Sequence, residues 1–205
     1  MDTHKFLKDN FDCVLFLTWS DWEKEPRSNR FHYSKRFANI LPLFFFQHKY
    51  RSSRELLTCK PSAIENLQIC DTTITMLQEK PEEIYLFIKK FGYNRPLIWV
   101  YDHMNYIEVI KSFPNAFKIY HATENYLYDS KSWTINQSIV GNSLIKAINN
   151  NYFDQIVACS PSVKDSILKN TSFDCNKIIF SPNGCDYKSI QSYLDGDDYS
   201  VSIKS

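Results

Sequence analysis

Six stretches of this chain, 13–18, 40–46, 97–101, 117–121, 155–160 and 177–181, read as continuously apolar rather than alternating. A strand with one wet face alternates; a strand covered on both faces does not, and such strands belong to parallel sheets. A weaker seventh candidate lies near 66–70. All are too short for helices that bury a full circumference. The longest strong run, 40–46, also falls far below the roughly 20 residues that span a bilayer.

Helical patterns fill the intervals. Pro81-Glu82-Glu83 places proline at a first helical position and acids in the first turn, where the helix dipole favours them. Ile84, Phe87, Ile88 and Phe91 then mark one face, and Gly92 ends the segment. Ser160-Pro161 repeats the cap-then-proline signature, with Val163, Ile167 and Leu168 on the buried side. A third helix covers 139–148, with Val140, Leu144 and Ile148 at four-residue spacing, and weaker candidates lie at 29–39 and 106–112. Strands alternating with helices require crossovers that return over the sheet. The expected fold is α/β: a doubly wound, mainly parallel sheet of six or seven strands with helices on both faces.

At 205 residues the chain is expected to be one domain, or one with small additions. The expected division is a domain over 1–190 and a linker or tail over 191–205, where Asp195-Gly196-Asp197-Asp198 lies. A net charge of +1 supplies no field to gather nucleic acid, and the basic residues do not cluster with aromatics as in nucleic-acid modules. The six cysteines (Cys13, Cys59, Cys70, Cys159, Cys175 and Cys185) contain no C-x-x-C pair, and Cys13 and Cys159 fall in strand segments as small hydrophobes. With no basic-then-apolar leader, the chain reads as cytoplasmic and reduced.

Ligands of a doubly wound sheet bind beyond the carboxyl ends of its strands, so the strand tips are where chemistry is sought. After the first strand come Trp19, Ser20, Asp21 and Trp22, then Arg27 and Arg30. Indoles beside a carboxylate and guanidinium groups suit a polyhydroxylated ligand; the same residues also suit an aromatic-capped loop with a surface salt bridge. After 97–101 come Asp102 and His103, and after the next strand His121 and Glu124. Each tip pairs an imidazole with a carboxylate, able to orient a hydroxyl or take its proton, although a histidine there also serves as a hydrogen-bonded structural residue. No G-x-G-x-x-G follows the first strand and the chain has four glycines, which argues against a nicotinamide or flavin cofactor. Phosphate-loop, nucleophile-elbow and zinc-protease motifs are missing, and His and Cys show no metal-ligand spacing, so no cofactor and no metal are expected.

Taken in order, four pieces resemble the N-terminal, acceptor-side domain of GT-B glycosyltransferases, particularly family 4 and family 1-like enzymes of bacterial surface-polysaccharide synthesis. They are the strand ending in Trp19-Ser20-Asp21-Trp22, and Leu97–Tyr101 leading to Tyr120-His121-Ala122-Thr123-Glu124-Asn125-Tyr126. The others are Phe153–Ser160 with its capped helix, and Ser181-Pro182-Asn183-Gly184-Cys185-Asp186. Cys185 stands where such enzymes usually have valine, and His121 and Glu124 stand where aspartates are common. The resemblance implies acceptor contacts at Trp19, Ser20, Asp21, Trp22 and Arg27, and work on the reacting hydroxyl by His121, Glu124, Asp102 and His103. It implies an interdomain cleft at Asn183 and Gly184. It further implies hexose transfer from a nucleotide-sugar to a glycan or lipid-linked glycan. The donor would be bound only with a second domain or subunit, whose basic groups and Glu-rich motif are not in this sequence. Peripheral contact with the inner face of the cell membrane follows from lipid-linked acceptors, with Arg51, Arg54, Lys89 and Lys90 contributing. A truncated product, a split enzyme and an excised piece stay open, as does a non-catalytic binding module that keeps the fold.

Overall fold

The structure is a computed structural model and describes residues 2–24, 28–48, 57–128 and 134–182. Its elements in chain order are α1 (Thr3–Asn10), β1 (Cys13–Leu17), α2 (Asn29–Ala38), β2 (Leu43–His48), β3 (Leu57–Pro61), β4 (Leu67–Thr72), α3 (Ile74–Glu79), α4 (Glu82–Lys90), β5 (Pro96–Val100), α5 (Ile107–Ser112), β6 (Phe117–Ala122), α6 (Ile135–Asn149), β7 (Gln155–Ala158), α7 (Pro161–Asn170), a 3-10 turn (Cys175–Lys177) and β8 (Ile178–Phe180). The strands form one sheet in the order β3-β4-β2-β1-β5-β6-β7-β8. Every pairing is parallel except β3 with β4.

The central strand β1 shows why the apolar runs do not alternate. Cys13, Leu15 and Leu17 point into the layer formed by α3 to α7, and Val14 and Phe16 into the layer holding α1 and α2. All five are fully buried. On the second face Phe16 meets Phe37, Phe45, Trp99 and Tyr101 with ring centroids 5.8–6.4 Å apart, which fixes where α2 crosses the sheet. From β1 the chain winds outward through β2 to the β4 and β3 edge. It then returns to β5 on β1's other side and winds outward again to β8. That reversal between β1 and β5 opens a crevice at the carboxyl ends of the two strands.

All seven expected strands are present, and β3 is an eighth. Only Leu57 and Cys59 are half-buried, Thr58, Lys60 and Pro61 being exposed, and it lies antiparallel on the edge, so the ladder to β4 rather than a buried side-chain run holds it. At the other edge, β8 departs from the expectation of burial on both faces: Ile178 is buried, but Ile179 and Phe180 are about half exposed, at 46% and 49%. Phe180, on Ile178's face, is exposed at the strand's last position, and Ile179 turns to the face that α7 does not cover. The same face carries an apolar cavity of about 640 Å³ whose walls include Phe6, Leu7, Phe37, Leu97, Trp99 and Ile119. It sits toward the amino ends of β5 and β6, away from the crevice.

The five expected helices are observed; α1 and α3 are additional. Helix α1 buries no residue fully; Leu7 is the side chain it packs against the core. Helix α6 begins at Ile135, four residues before the expected 139, because the Thr134 side chain accepts from Gln137 N in a reciprocal capping box. One start is fixed as its sequence foretells: the Ser160 hydroxyl accepts from Val163 N at 3.2 Å with proline following. Replacing Ser160 with alanine strands that amide and is expected to lower stability by about 1 kcal/mol in urea denaturation. Gly92 takes φ +85° after α4, the left-handed conformation that glycine adopts without strain.

Candidate functional site

Four strand tips meet at the crevice. β1 delivers Thr18, Trp19 and Ser20; β5 delivers Tyr101 to Asn105; β6 delivers His121 to Tyr126; and β2 ends in His48. A cavity of about 150 Å³ lies there, lined by Trp19, Tyr101, Asp102, His103, Asn105 and Tyr126, with Met104 and Val140 completing the wall. Aromatic rings thus face a carboxylate, an amide and an imidazole across a space narrower than a drug-sized pocket.

Asp102 is the most tightly held of these groups. It is 6% exposed. Its Oδ1 accepts from Asn105 N at 3.1 Å, and its Oδ2 accepts from Asn105 Nδ2 at 2.7 Å and lies 2.9 Å from His48 Nε2. Burial pushes the carboxyl pKa up, but the bonds from His48 and Asn105 outweigh burial and hold it below the ordinary carboxylate value. The group is therefore a fixed carboxylate. With about four acceptor sites on an ionised carboxylate and three contacts in place, one direction on Oδ1 is left for a ligand.

His48 is the residue that sequence reasoning missed. The expected second strand stopped at Phe46, whereas β2 continues through Gln47 and His48. Extending that strand by two residues makes His48 a strand-tip imidazole on the criterion that selected His103 and His121. Its partner is Asp102, not the adjacent histidine.

His103 is buried beside the cavity, its ring edge-on to Tyr120 at 5.6 Å. Burial lowers its pKa, while Asp102 and the Val140 main chain pull the other way, so the neutral ring is favoured near pH 7. Its Nε2 is buried and has no hydrogen-bond partner among the described residues. That atom is available to a bound hydroxyl.

His121 is held differently. The Trp99 indole, which can only donate, gives its Nε1–H to His121 Nδ1 at 3.2 Å, and the Tyr101 hydroxyl lies 3.1 Å from the same nitrogen. The neutral ring must then carry its proton on Nε2. Burial, aided by the Arg30 charge, depresses the pKa to about 4. As placed, His121 is a neutral hydrogen-bond donor rather than a base, and it does not line the cavity. The Nε2 atom is buried without a partner among the described residues.

The remaining expected site residues separate into two groups. Trp19 lines the cavity, and the Arg30 guanidinium lies 5.1 Å from its ring and 5.8 Å from that of Tyr101. Trp22 does not face the cavity: its ring stacks on Phe31 at 5.5 Å and meets Phe45 edge-on at 5.0 Å, and its amide donates to Gln47 Oε1. Asp21 is exposed, capping its own turn by accepting from Glu23 N and lying 3.5 Å from Lys24. Ser20 is buried, its amide bonded to Thr18 Oγ1. Glu124 is exposed at the β6 tip. Its neighbour Asn125 ties that tip to α7 through Ser162 and Ser166. Arg27, Arg51, Arg54, Asn183, Gly184 and Cys185 lie outside the described residues. Lys89 and Lys90 sit at the opposite end of the sheet from the cavity, Lys89 bonded to Asn94 at 2.6 Å. Among the described residues no group of His, Cys, Asp and Glu could hold a metal ion, and no helix is long and apolar enough to cross a membrane.

No family model matches the sequence, and no curated protein matches it. Solved structures do match the fold. The E. coli trehalose-6-phosphate synthase structure bound with UDP-2-fluoro glucose superposes with a TM-score of 0.58 at 8% identity, over 90% of this chain and 52% of that one. The OtsA apo structure gives 0.54 at 8% identity, over 90% and 52%. Anabaena HepE in complex with UDP gives 0.50 at 10% identity, over 90% and 50%. The chain spans about half the length of each. These neighbours are GT-B glycosyltransferases, and what the likeness establishes is the fold: a doubly wound, Rossmann-like α/β domain of the kind that makes up half of a GT-B protein.

Proposed function

We propose that this chain is the acceptor-side domain of a glycosyltransferase whose full activity moves a hexose from a nucleotide-sugar to a hydroxyl of a glycan or lipid-linked glycan, in surface-polysaccharide synthesis. The observation that carries this reading is the cavity at the β1/β5 reversal, where Trp19 and Tyr126 are aromatic wall residues, Asp102 is a fixed acceptor and His103 has an Nε2 with no hydrogen-bond partner among the described residues. The space suits one sugar ring. Support also comes from the neighbours of the same fold that bind UDP or UDP-2-fluoro glucose.

In this reading the rings of Trp19 and Tyr126 cover the apolar faces of the acceptor sugar and exclude water. The remaining Oδ1 direction of Asp102 accepts from the hydroxyl and orients it. His103, kept neutral by burial, takes a hydrogen bond or a proton as the hydroxyl reacts. The nucleotide-sugar is bound by a second domain or subunit, approaching across the carboxyl ends of the strands near Asn183 and Gly184. The acceptor's location makes the reaction a cytoplasmic one, at the inner face of the membrane when the acceptor is lipid-linked.

Titrating residues 1–205 with simple alkyl hexosides while following tryptophan fluorescence tests the acceptor site. Saturable, millimolar-range quenching that Trp19→Phe diminishes is the expected result, together with no hexose transfer from UDP-hexoses by this chain alone. Quenching unchanged in Trp19→Phe would remove the cavity from the acceptor site. Ordinary-rate transfer by residues 1–205 would overturn the claim that donor binding needs a second domain.

A further inference from the structure

The antiparallel register of β3 on β4 sets Cys59 directly opposite Cys70. Residues opposed in this way have Cα atoms about 4.5–5.5 Å apart, within the span a disulfide bridges without moving the backbone. The side chains have already turned toward each other: the two Sγ atoms are 2.8 Å apart, closer than the roughly 3.5–4.0 Å at which non-bonded heavy atoms usually rest. We propose that Cys59 and Cys70 form a thiol–disulfide exchange site that accepts small-molecule disulfides of the glutathione class and closes to a cross-strand bond.

The two thiols are unequal in a way that assigns the order of events. Cys59 lies half-buried on the edge strand, whereas Cys70 is fully buried in the core. The hydrogen bond with Cys70 lowers the Cys59 pKa against the opposing effects of burial and Asp71, and burial raises that of Cys70 far above the ordinary range. Cys59 is thus both the reachable sulfur and the one with thiolate character, which exchange chemistry requires. Its thiolate attacks one sulfur of oxidised glutathione, forming a mixed disulfide and releasing one glutathione thiolate, which takes up the proton Cys59 gave to solvent. The Cys70 sulfur then attacks Cys59 Sγ; the Cys59–glutathione bond breaks, and the departing glutathione leaves with the Cys70 proton. One small-molecule disulfide becomes two thiols, and two protein thiols become one disulfide.

Among the described residues the other cysteines lack this pairing. Cys13 is buried with a raised pKa, and Cys159 is raised too and donates to the Thr123 carbonyl. Cys175 is exposed and serves as an internal control for simple thiol accessibility. The bond would tie the outermost strand covalently to its neighbour, and β3 is the element to which the chain returns after His48.

The test is peptide mapping of the native 205-residue chain after incubation with oxidised glutathione, acid quench, thiol blocking and digestion. The expected product is one linked peptide pair joining Cys59 to Cys70 with the loss of two hydrogens, while Cys175 carries at most a mixed disulfide. Cys70→Ala should stall at glutathione on Cys59, and Cys59→Ser should leave Cys70 unmodified in the folded state. Closing this short loop should raise the Tm of the oxidised wild type by about 5–10 °C over the reduced protein. Glutathione collecting on Cys175 while both Cys59 and Cys70 stay thiols overturns the proposal. So does a Cys70→Ala variant that gathers no glutathione at Cys59. The wild-type map decides the matter even if a variant folds poorly.

Discussion

Acidifying the protein from pH 7 to pH 4 is expected to remove about 3 kcal/mol of stability through His121 alone. The ring is 1% exposed, and its folded pKa is depressed to about 4 from the ordinary 6.5, by burial first and by Arg30 second. Between those values the unfolded chain binds a proton that the folded chain does not, so stability falls as pH falls through this window and is complete above 6.5. The size follows from the gap between the two values at about 1.4 kcal/mol for each tenfold change in proton affinity. His103, also depressed by burial, adds a slope of the same sign, so the difference between wild type and a variant is the quantity to read. His121→Gln keeps an acceptor for the Trp99 indole but cannot titrate. Urea denaturation at pH 7, 5.5 and 4 should show the wild type losing roughly 3 kcal/mol more than His121→Gln across the series. Equal losses in the two proteins would mean that His121 is hydrated and protonates in place.

The layered sheet was legible because burial leaves a mark that composition alone carries. A run such as Cys13-Val14-Leu15-Phe16-Leu17 can be apolar at every position only if both faces are covered, and both are. The same logic misreads an edge. Ile178-Ile179-Phe180 has the apolar run of a central strand, but no strand lies outside it among the described residues, and Ile179 and Phe180 remain half exposed. β3 fails in the opposite direction. In Leu57-Thr58-Cys59-Lys60-Pro61 only Leu57 and Cys59 turn toward the core, and they are half-buried, too short an alternation to mark a strand; its place comes from main-chain bonds to β4.

Site residues divide along a similar line. Strand tips can be read from where an apolar run stops, so Asp102, His103 and His121 come from sequence directly. Which way a loop side chain turns cannot. Trp19 and Trp22 flank one short turn with equal claims on a sugar, yet Trp22 is drawn under α2 by Phe31 and Phe45 while Trp19 stays at the cavity. Partnership across strands is equally hidden: Asp102 is 54 residues from His48 in the chain, and only the parallel sheet, with β1 between β2 and β5, brings their tips together.

Removing the Asp102 carboxylate should produce the largest loss at the site. Asp102→Ala strands two Asn105 donors and the facing His48 nitrogen in a buried setting, which is expected to cost roughly 3–5 kcal/mol in urea denaturation. On the proposed function it should also weaken alkyl-hexoside binding by at least tenfold, the usual size of one lost bond to a charged group. Asp102→Asn separates the two effects. It keeps a carbonyl oxygen for Asn105 and recovers part of the stability, but it removes the charge that orients a hydroxyl. It also removes an acid-limb dependence. The folded pKa of Asp102 lies below the ordinary 3.8, so its contribution is present above 3.8 and lost as pH falls through the lower folded value. The lower end of the His121 window, about 4, meets the ordinary 3.8 of an unfolded aspartate, so the two contributions are separated by comparing His121→Gln with Asp102→Asn rather than by pH. An Asp102→Asn protein that is less stable at neutral pH, insensitive on the acid limb, and still binds hexosides as tightly as the wild type would make Asp102 a clamp for the β2 and β5 tips, and the hydroxyl would then have to be oriented by His103.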